Sequence, residues 1–166
     1  MAETDRVLYL IGVLKDEDSE LRQNAALALG EIKDRRCFPA LLEAMNDVDP
    51  EVRQAAMWSI GELAGPGESA LVLPHLEDEA WEVREAAVNA LGKIGDGEQE
   101  KAIFPMLEDE HWKVRKSAAG SLGKIGGAGA KKVLLSACVK ERYYDVRERI
   151  LKAVEKIDSL TGGGIK

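Results

Sequence analysis

Apolar residues recur along this chain at helical spacing, in paired segments. The stretch "DPEVRQAAMWSIGEL", beginning at Asp49, puts Val52, Ala56, Ile60 and Leu63 on one side of a helix. "WEVREAAVNALGKI", beginning at Trp81, repeats the arrangement with Val83, Ala87, Leu91 and Ile94. Ahead of such a segment runs a shorter apolar one, "RRCFPALLEAMND" or "EKAIFPMLEDE", and an acidic turn joins the two. Each pair reads as a helix hairpin. An aliphatic–Arg pair marks the register: Leu21-Arg22, Val52-Arg53, Val83-Arg84, Val114-Arg115 and Val146-Arg147, at steps of 31, 31, 31 and 32 residues. A period in the range of roughly 20 to 50 residues belongs to a solenoid. The expectation is an all-α superhelix of five hairpin repeats and about ten helices, with units near 4–33, 34–64, 65–95, 96–126 and 127–158, and a flexible tail over 161–166.

Local chemistry supports the helix ends. Ser19 and Asp49-Pro50 supply an N-cap or a first-turn proline, and the glycines of "GDG" at 95–97 and "GGAG" at 126–129 are expected to stop the second helices. Pro74 and Pro105 share one repeat position inside first helices, where a missing N–H should kink or shorten them. The last unit departs from the pattern: one extra residue in "KERYYDVR", and Glu155 where earlier units carry Gly. Terminal repeats cover an open core end, so such irregularity fits a cap.

The phrase "DPEVRQAA…GEL", followed by a short turn and by segments such as "PALLEAM", resembles the HEAT-like repeats first described in phycobilisome (bilin) lyases. That family also occurs in archaeal and bacterial proteins of unassigned role. The resemblance runs from about Asp5 to Ile157 and recurs in all five units. It implies an alpha-alpha superhelix in which the "VR" helices line the concave side and the other helices the convex side.

Positions identical in every repeat serve what every repeat needs, which is stacking. Arg22, Arg53, Arg84, Arg115 and Arg147 are expected to bond the turn acids Asp16, Asp47, Asp78 and Asp109 in a ladder; the alternative is a row that binds phosphate. Gly30, Gly61, Gly92 and Gly123 each cost about 1 kcal/mol of helix propensity relative to Ala, which points to close backbone approach or to helix termination.

Positions that vary face something else. At 100° per residue, Val52, Ala56, Ser59, Ile60 and Leu63 share one side of their helix, residues 54 and 58 lie nearly opposite, and 51 and 62 flank them. Down the repeats, the position of Trp58 reads Leu27, Trp58, Asn89, Gly120, Lys152, and that of Gln54 reads Gln23, Gln54, Glu85, Lys116, Glu148. The position of Glu51 reads Glu20, Glu51, Glu82, Lys113, Asp145, and that of Glu62 reads Glu31, Glu62, Lys93, Lys124, Lys156. The surface grades from acidic and partly apolar to basic. The candidate protein-binding residues are Gln23, Leu27, Glu51, Gln54, Trp58, Glu82, Glu85, Asn89, Lys113 and Lys116. Trp58, with Leu27 beside it, is the anchor, because an exposed Trp is costly and enriched at interface hot spots; alternatively it packs against a neighbouring unit. A second aromatic row, Trp81, Trp112 and Tyr144 with Tyr143 beside it, either binds or seals the seam between repeats.

Charge sharpens the gradient. Residues 1–110 hold 10 basic and 25 acidic residues, net −15, whereas 111–166 hold 13 and 5, net +8. The overall −7 argues against nucleic acid, which needs clustered Lys and Arg. No apolar run reaches the roughly 20 residues of a membrane span, and "MAETDRVLYLIG" is acidic where a signal peptide is basic, so a cytoplasmic protein is expected. Cys37 and Cys138 are expected to be buried free thiols.

No reaction chemistry emerges. His75 and His111 stand in different units, there is no His-Glu dipeptide of the kind a HEAT-repeat di-iron hydroxylase uses, and neither a metal nor a cofactor is expected. "GGAGAKK" lacks the strand and the ending of a phosphate loop. Glu51, Glu82 and Glu85 read as a solvated acidic face and not as general acids. The first expectation is a non-enzymatic module or scaffold that holds a protein or peptide on its concave face. The alternatives are a bilin lyase-like or chromophore chaperone subunit, as the resemblance implies, and salt-sensitive self-assembly through oppositely charged ends.

Overall fold

In the computed structural model, the description covers residues 3–95, 97–160 and 162. Asp96 of the "GDG" stop and all of the 161–166 tail except Gly162 lie outside it. Among the described residues there are nine α-helices: α1 (Glu3–Val13), α2 (Ser19–Ile32), α3 (Phe38–Ala44), α4 (Pro50–Leu63), α5 (Trp81–Ile94), α6 (Glu100–Ile103), α7 (Trp112–Ile125), α8 (Ala128–Lys140) and α9 (Tyr144–Leu160). The prolines act as their position predicts. Pro74 and Pro105 sit at the start of 3-10 segments, Leu73–Glu77 and Phe104–Glu108, which replace a full first helix in the third and fourth hairpins. Pro39 opens α3 within its first turn, where a proline costs nothing.

The long second helices stack in the order α2, α4, α5, α7, α9. First arms pack on their own second helix: α1 on α2, α3 on α4, Leu73–Glu77 on α5, Phe104–Glu108 on α7, and α8 on α9. A single apolar core runs through the stack from Val7 to Ile157, with Leu29, Met57, Ile60, Leu91, Leu122 and Ile150 fully buried. Burial is wider than one face. In α4, Ala55 and Met57 are as buried as Val52, while Leu63 is only partly so, because the helix is enclosed by α2, α3 and α5. Among residues 51–63, all but Glu51, Gln54, Trp58, Glu62 and Leu63 are buried.

The helix starts follow an aspartate code slightly different from the predicted one. Asp18, not Ser19, caps α2 by accepting the Glu20 N–H, and Asp49 does the same for α4 with Glu51. At α5 and α7 the N-cap positions hold Ala80 and His111, which lend no side chain; the carboxylates of Asp78 and Asp109 accept the N–H of these residues instead. Gly95 closes α5 in the left-handed conformation, with φ of 72°. Gly126 closes α7 from an extended conformation, and Gly129 lies inside α8.

The arginine ladder exists, with its acids displaced by one repeat from the nearest turn. Arg22, Arg53, Arg84 and Arg115 each grip a carboxylate of the following turn, namely Asp47, Asp78, Asp109 and Glu141, through Nε and Nη2 at 2.7–3.1 Å. Nη1 of each donates to two carbonyls of its own turn, as Arg53 does to Asp47 and Val48. Asp16 supplies Arg22 with its backbone carbonyl only, and Arg147 is exposed without a carboxylate partner among the described residues. Four forks are thus spent inside the protein, which leaves no arginine row for phosphate.

The recurrent glycines mark close approach. A Cβ on Gly30 would come 2.6 Å from Ser59 Cβ, one on Gly61 3.0 Å from Ala90, one on Gly92 2.6 Å from Ser121 Cβ and one on Gly123 2.8 Å from Ala153. None of the four ends a helix. Across these seams the buried hydroxyls of Ser59 and Ser121 donate to the carbonyls of Ala26 and Val88 at 2.8 and 2.9 Å. Cys37 is a buried free thiol, whereas Cys138, on α8, is free but only half-buried.

Candidate functional site

The variable positions fall on the open side of the second helices, and two recesses form there. The first lies between α2 and α4, with a volume of about 340 Å³, lined by Gln23, Leu27, Glu31, Gln54, Ala55 and Trp58. Trp58 is 45% exposed, so it does not disappear into the seam. The Lys93 ammonium, from α5, covers one face of its ring at 4.3 Å from the centroid. Glu62 is held between Lys33 and Lys93, whose hydrogen bonds draw its carboxyl down to about 2. The lysine above the tryptophan is therefore fixed from below by an ion pair.

The second recess, also about 340 Å³, lies two repeats further along. It brings together Glu85, Asn89, Trp112, Lys113, Lys116, Ser117, Gly120 and Arg149. Ser117 donates to Glu85 at 3.0 Å and accepts from Asn89 at 3.3 Å. Of the ten candidate residues, Gln23, Leu27, Gln54 and Trp58 meet in the first recess and Glu85, Asn89, Lys113 and Lys116 in the second, while Glu51 and Glu82 line neither.

The aromatic row lies along the start of the second helices. Trp81 stacks on His111 with centroids 3.8 Å apart, and Trp112 stacks on Tyr143 at 6.0 Å. Both indoles are partly buried against the core, as a seam seal requires. Tyr143, not Tyr144, continues the row; the extra residue in the last turn shifts the register, and Tyr144 is left 70% exposed. Lys113 lies 4.6 Å over Trp81. His75 is pushed below its ordinary value chiefly by burial, and no cluster of three or more His, Cys, Asp or Glu side chains able to hold a metal occurs among the described residues.

The HEAT-repeat profile matches residues 7–80 and 69–155, nearly the whole of this hairpin stack. The chain belongs to the HEAT-repeat family. No curated protein matches it. Among solved structures, this HEAT-repeat chain is similar to one in the complex of CpcE and CpcF of phycocyanin lyase from Nostoc sp. PCC7120: TM-score 0.76, 20% identity, 91% of this chain and 99% of the other covered. It is similar to an engineered protein (TM-score 0.68, 21% identity, 96% and 82% covered) and to a designed armadillo repeat protein in complex with the peptide (KR)4 (TM-score 0.65, 22% identity, 89% and 80% covered). At these identities the likeness concerns the fold. No helix among the described residues is long and apolar enough to cross a membrane.

Sequence reasoning missed two residues of the HEAT stack's open face. The sequence marks Lys93 only as a basic flank, although it holds the same repeat position as Glu62 one unit later, and from the next helix it covers the ring of Trp58. Arg149 was not singled out at all. The signal was present: Gly120 stands where other repeats have Leu27 or Trp58, and a Cβ there would strike the Arg149 guanidinium at 2.5 Å.

Proposed function

We propose that this protein is a non-enzymatic interaction module that holds a protein or peptide segment against the open face of its second helices. The observation that carries the reading is the half-exposed Trp58, standing with Leu27 in an apolar recess rimmed by Glu31. An aromatic residue in such a recess offers a large contact area at little entropic cost, the usual anatomy of a binding hot spot. The acidic surroundings suit a segment with an apolar anchor and Lys or Arg nearby. Solenoids of this fold present extended surfaces for this purpose, and a complex with a partner or peptide is named for two of the similar structures. The test is selection from a peptide display library against the full chain: binders should lose at least tenfold in affinity, about 1.4 kcal/mol, to the Trp58→Ala variant. Binders that retain full affinity for that variant would reject the face.

A chromophore-handling role is the second reading, favoured by the match to a phycocyanin lyase chain over 91% of this one. Incubation with a free bilin followed by gel filtration would then leave a visible absorbance band on the protein. A colourless protein peak rejects it.

A further inference from the structure

We propose that the recess over Gly120 is a carboxylate subsite, which receives an Asp, Glu or C-terminal carboxylate of the same segment whose apolar anchor rests on Trp58. This inference rests on the open face being a peptide-binding surface and adds the chemistry of its second half.

Arg149 is the decisive residue. Gly120 lacks the side chain that other repeats carry at its position, and the guanidinium of Arg149 lies in the vacated notch, against the backbone of α7. Among the described residues no carboxylate pairs with it, in contrast to the forks of Arg22, Arg53, Arg84 and Arg115. It shares the recess with Lys113, which pairs with no carboxylate either and lies over two indole rings, and with Lys116, whose nearest carboxylate is the exposed Asp145 at 3.6 Å. Three cations thus line the recess with one carboxylate, Glu85, which is already engaged by Ser117. Around them, Lys152 is neutralised by Glu148 at 2.7 Å, and Lys124 titrates below its ordinary value through burial and the neighbouring charges of Arg149, Lys156 and Lys93. Among the described residues, Asp145 is the one carboxylate that forms an ion pair with any of the three cations, and it does so at 3.6 Å and from an exposed position.

The planar fork of an arginine matches a carboxylate in geometry, and Trp112 supplies a flat wall beside it. A nucleic acid backbone is a poorer match, because its run of phosphates would meet Glu85 and then the acidic face of α2 and α4. Spacing follows from the repeat. Trp58 and Gly120 occupy one position two repeats apart, and helices packed at 8–10 Å put them roughly 16–20 Å from one another. An extended peptide crosses that distance in about five or six residues at 3.3–3.6 Å each. The segment has an apolar anchor, and its acidic residue follows or precedes by that interval.

The experiment uses the full chain, labelled with nitrogen-15, and two synthetic peptides. Each has a Leu-Trp anchor and a five-residue Gly/Ser spacer; one ends in Asp-Glu and the other in Asn-Gln, both amidated. The acidic peptide should bind at least fivefold more tightly and move the Arg149 Nε–H and Trp112 indole resonances. Arg149→Gln, and independently Gly120→Leu, should abolish the preference while leaving the neutral peptide's affinity unchanged; Trp58→Ala should weaken both peptides alike. Equal binding of the two peptides with dependence on Trp58 overturns the carboxylate subsite alone, as does a preference that survives Arg149→Gln. Binding of neither peptide overturns the subsite and the peptide-binding reading together. A single-stranded oligonucleotide that binds more tightly than the acidic peptide and shifts the same resonances also overturns it.

Discussion

Arg53 and Asp78, 25 residues apart, face each other through two parallel hydrogen bonds of 2.8 Å, with about a tenth of either side chain exposed. Arg53 also holds the carbonyls of Asp47 and Val48 in the turn before its own helix, and Asp78 also accepts the Ala80 N–H that opens the next. One fork thereby fixes two turns and the angle between them. Removing one partner of a desolvated pair strands the other charge, which typically costs about 3–5 kcal/mol. Asp78→Ala is expected to cost about 3 kcal/mol in urea unfolding, whereas Arg147→Ala, at an exposed and unpaired site, should stay within about 0.5 kcal/mol. Equal effects from the two would refute the ladder as a stabilising device.

Acid should loosen the stack within a defined window. The hydrogen bonds from Arg22 lower the Asp47 carboxyl below its ordinary 3.8. Burial raises those of Asp78 and Glu141, but the Arg53 and Arg115 forks and the turn N–H groups together outweigh it and leave both lowered. Lys33 and Lys93 hold Glu62 near 2, and Arg35 does the same for Glu68, against an ordinary 4.5. Each depressed carboxyl favours folding while it is ionised, so its contribution is complete above the unfolded value and is lost as pH falls through the folded one. Thermal midpoints should be level above about pH 5 and fall between about pH 4.5 and 2. A midpoint unmoved down to pH 2 contradicts this assignment.

Glycine substitutions should have opposite signs at two sites. Gly92→Ala drives a Cβ to 2.6 Å from Ser121 Cβ and displaces the hydroxyl bonded to Val88. Overpacking of this kind costs about 1–3 kcal/mol, more than the helix propensity gained. Gly12 in α1 meets nothing within 4 Å, so Gly12→Ala is expected to stabilise by up to about 1 kcal/mol. A calorimetric midpoint that rises for Gly92→Ala as well as for Gly12→Ala would show that the seam tolerates a methyl group.

Ser59→Ala isolates the seam hydrogen bond from the seam contact. Its hydroxyl is fully buried and donates to Ala26 at 2.8 Å. Ala153 holds the equivalent place opposite Gly123, so an alanine fits there. The loss should be about 1 kcal/mol, the net contribution of one hydrogen bond, without disordering the stack. A loss above about 3 kcal/mol would mean that the hydroxyl serves more than this bond.

The hairpins, the proline-shortened arms and the glycine seams could be read from the sequence because each follows a local rule that recurs, five times for the hairpins, four for the glycines and twice for the prolines. The partner in each arginine rung could not. Spacing alone offers Arg53 both Asp47 and Asp78, and only the angle at which α4 meets α5 chooses the second. The exposure of Gln54 and Trp58 followed from helix geometry, yet Lys93 over the Trp58 ring and Arg149 in the Gly120 notch are contacts between repeats. Such contacts depend on how far one hairpin is rotated on the next, a quantity that no single repeat encodes. The Tyr143 register is of the same kind, set by one inserted residue.

Glu155 gives the molecule a direction. At the corresponding place in α2, α4, α5 and α7 a bare Cα admits the next helix, but α9 presents an exposed carboxylate side chain there. A hairpin added in register behind α9 would press its small seam residue onto that carboxylate. Copies of the middle hairpins, by contrast, would find a glycine on one side and a serine or alanine on the other. Anyone lengthening this protein should therefore splice new repeats ahead of the α8–α9 hairpin, and should expect Glu155→Gly to turn the outer side of α9 into one that accepts another layer.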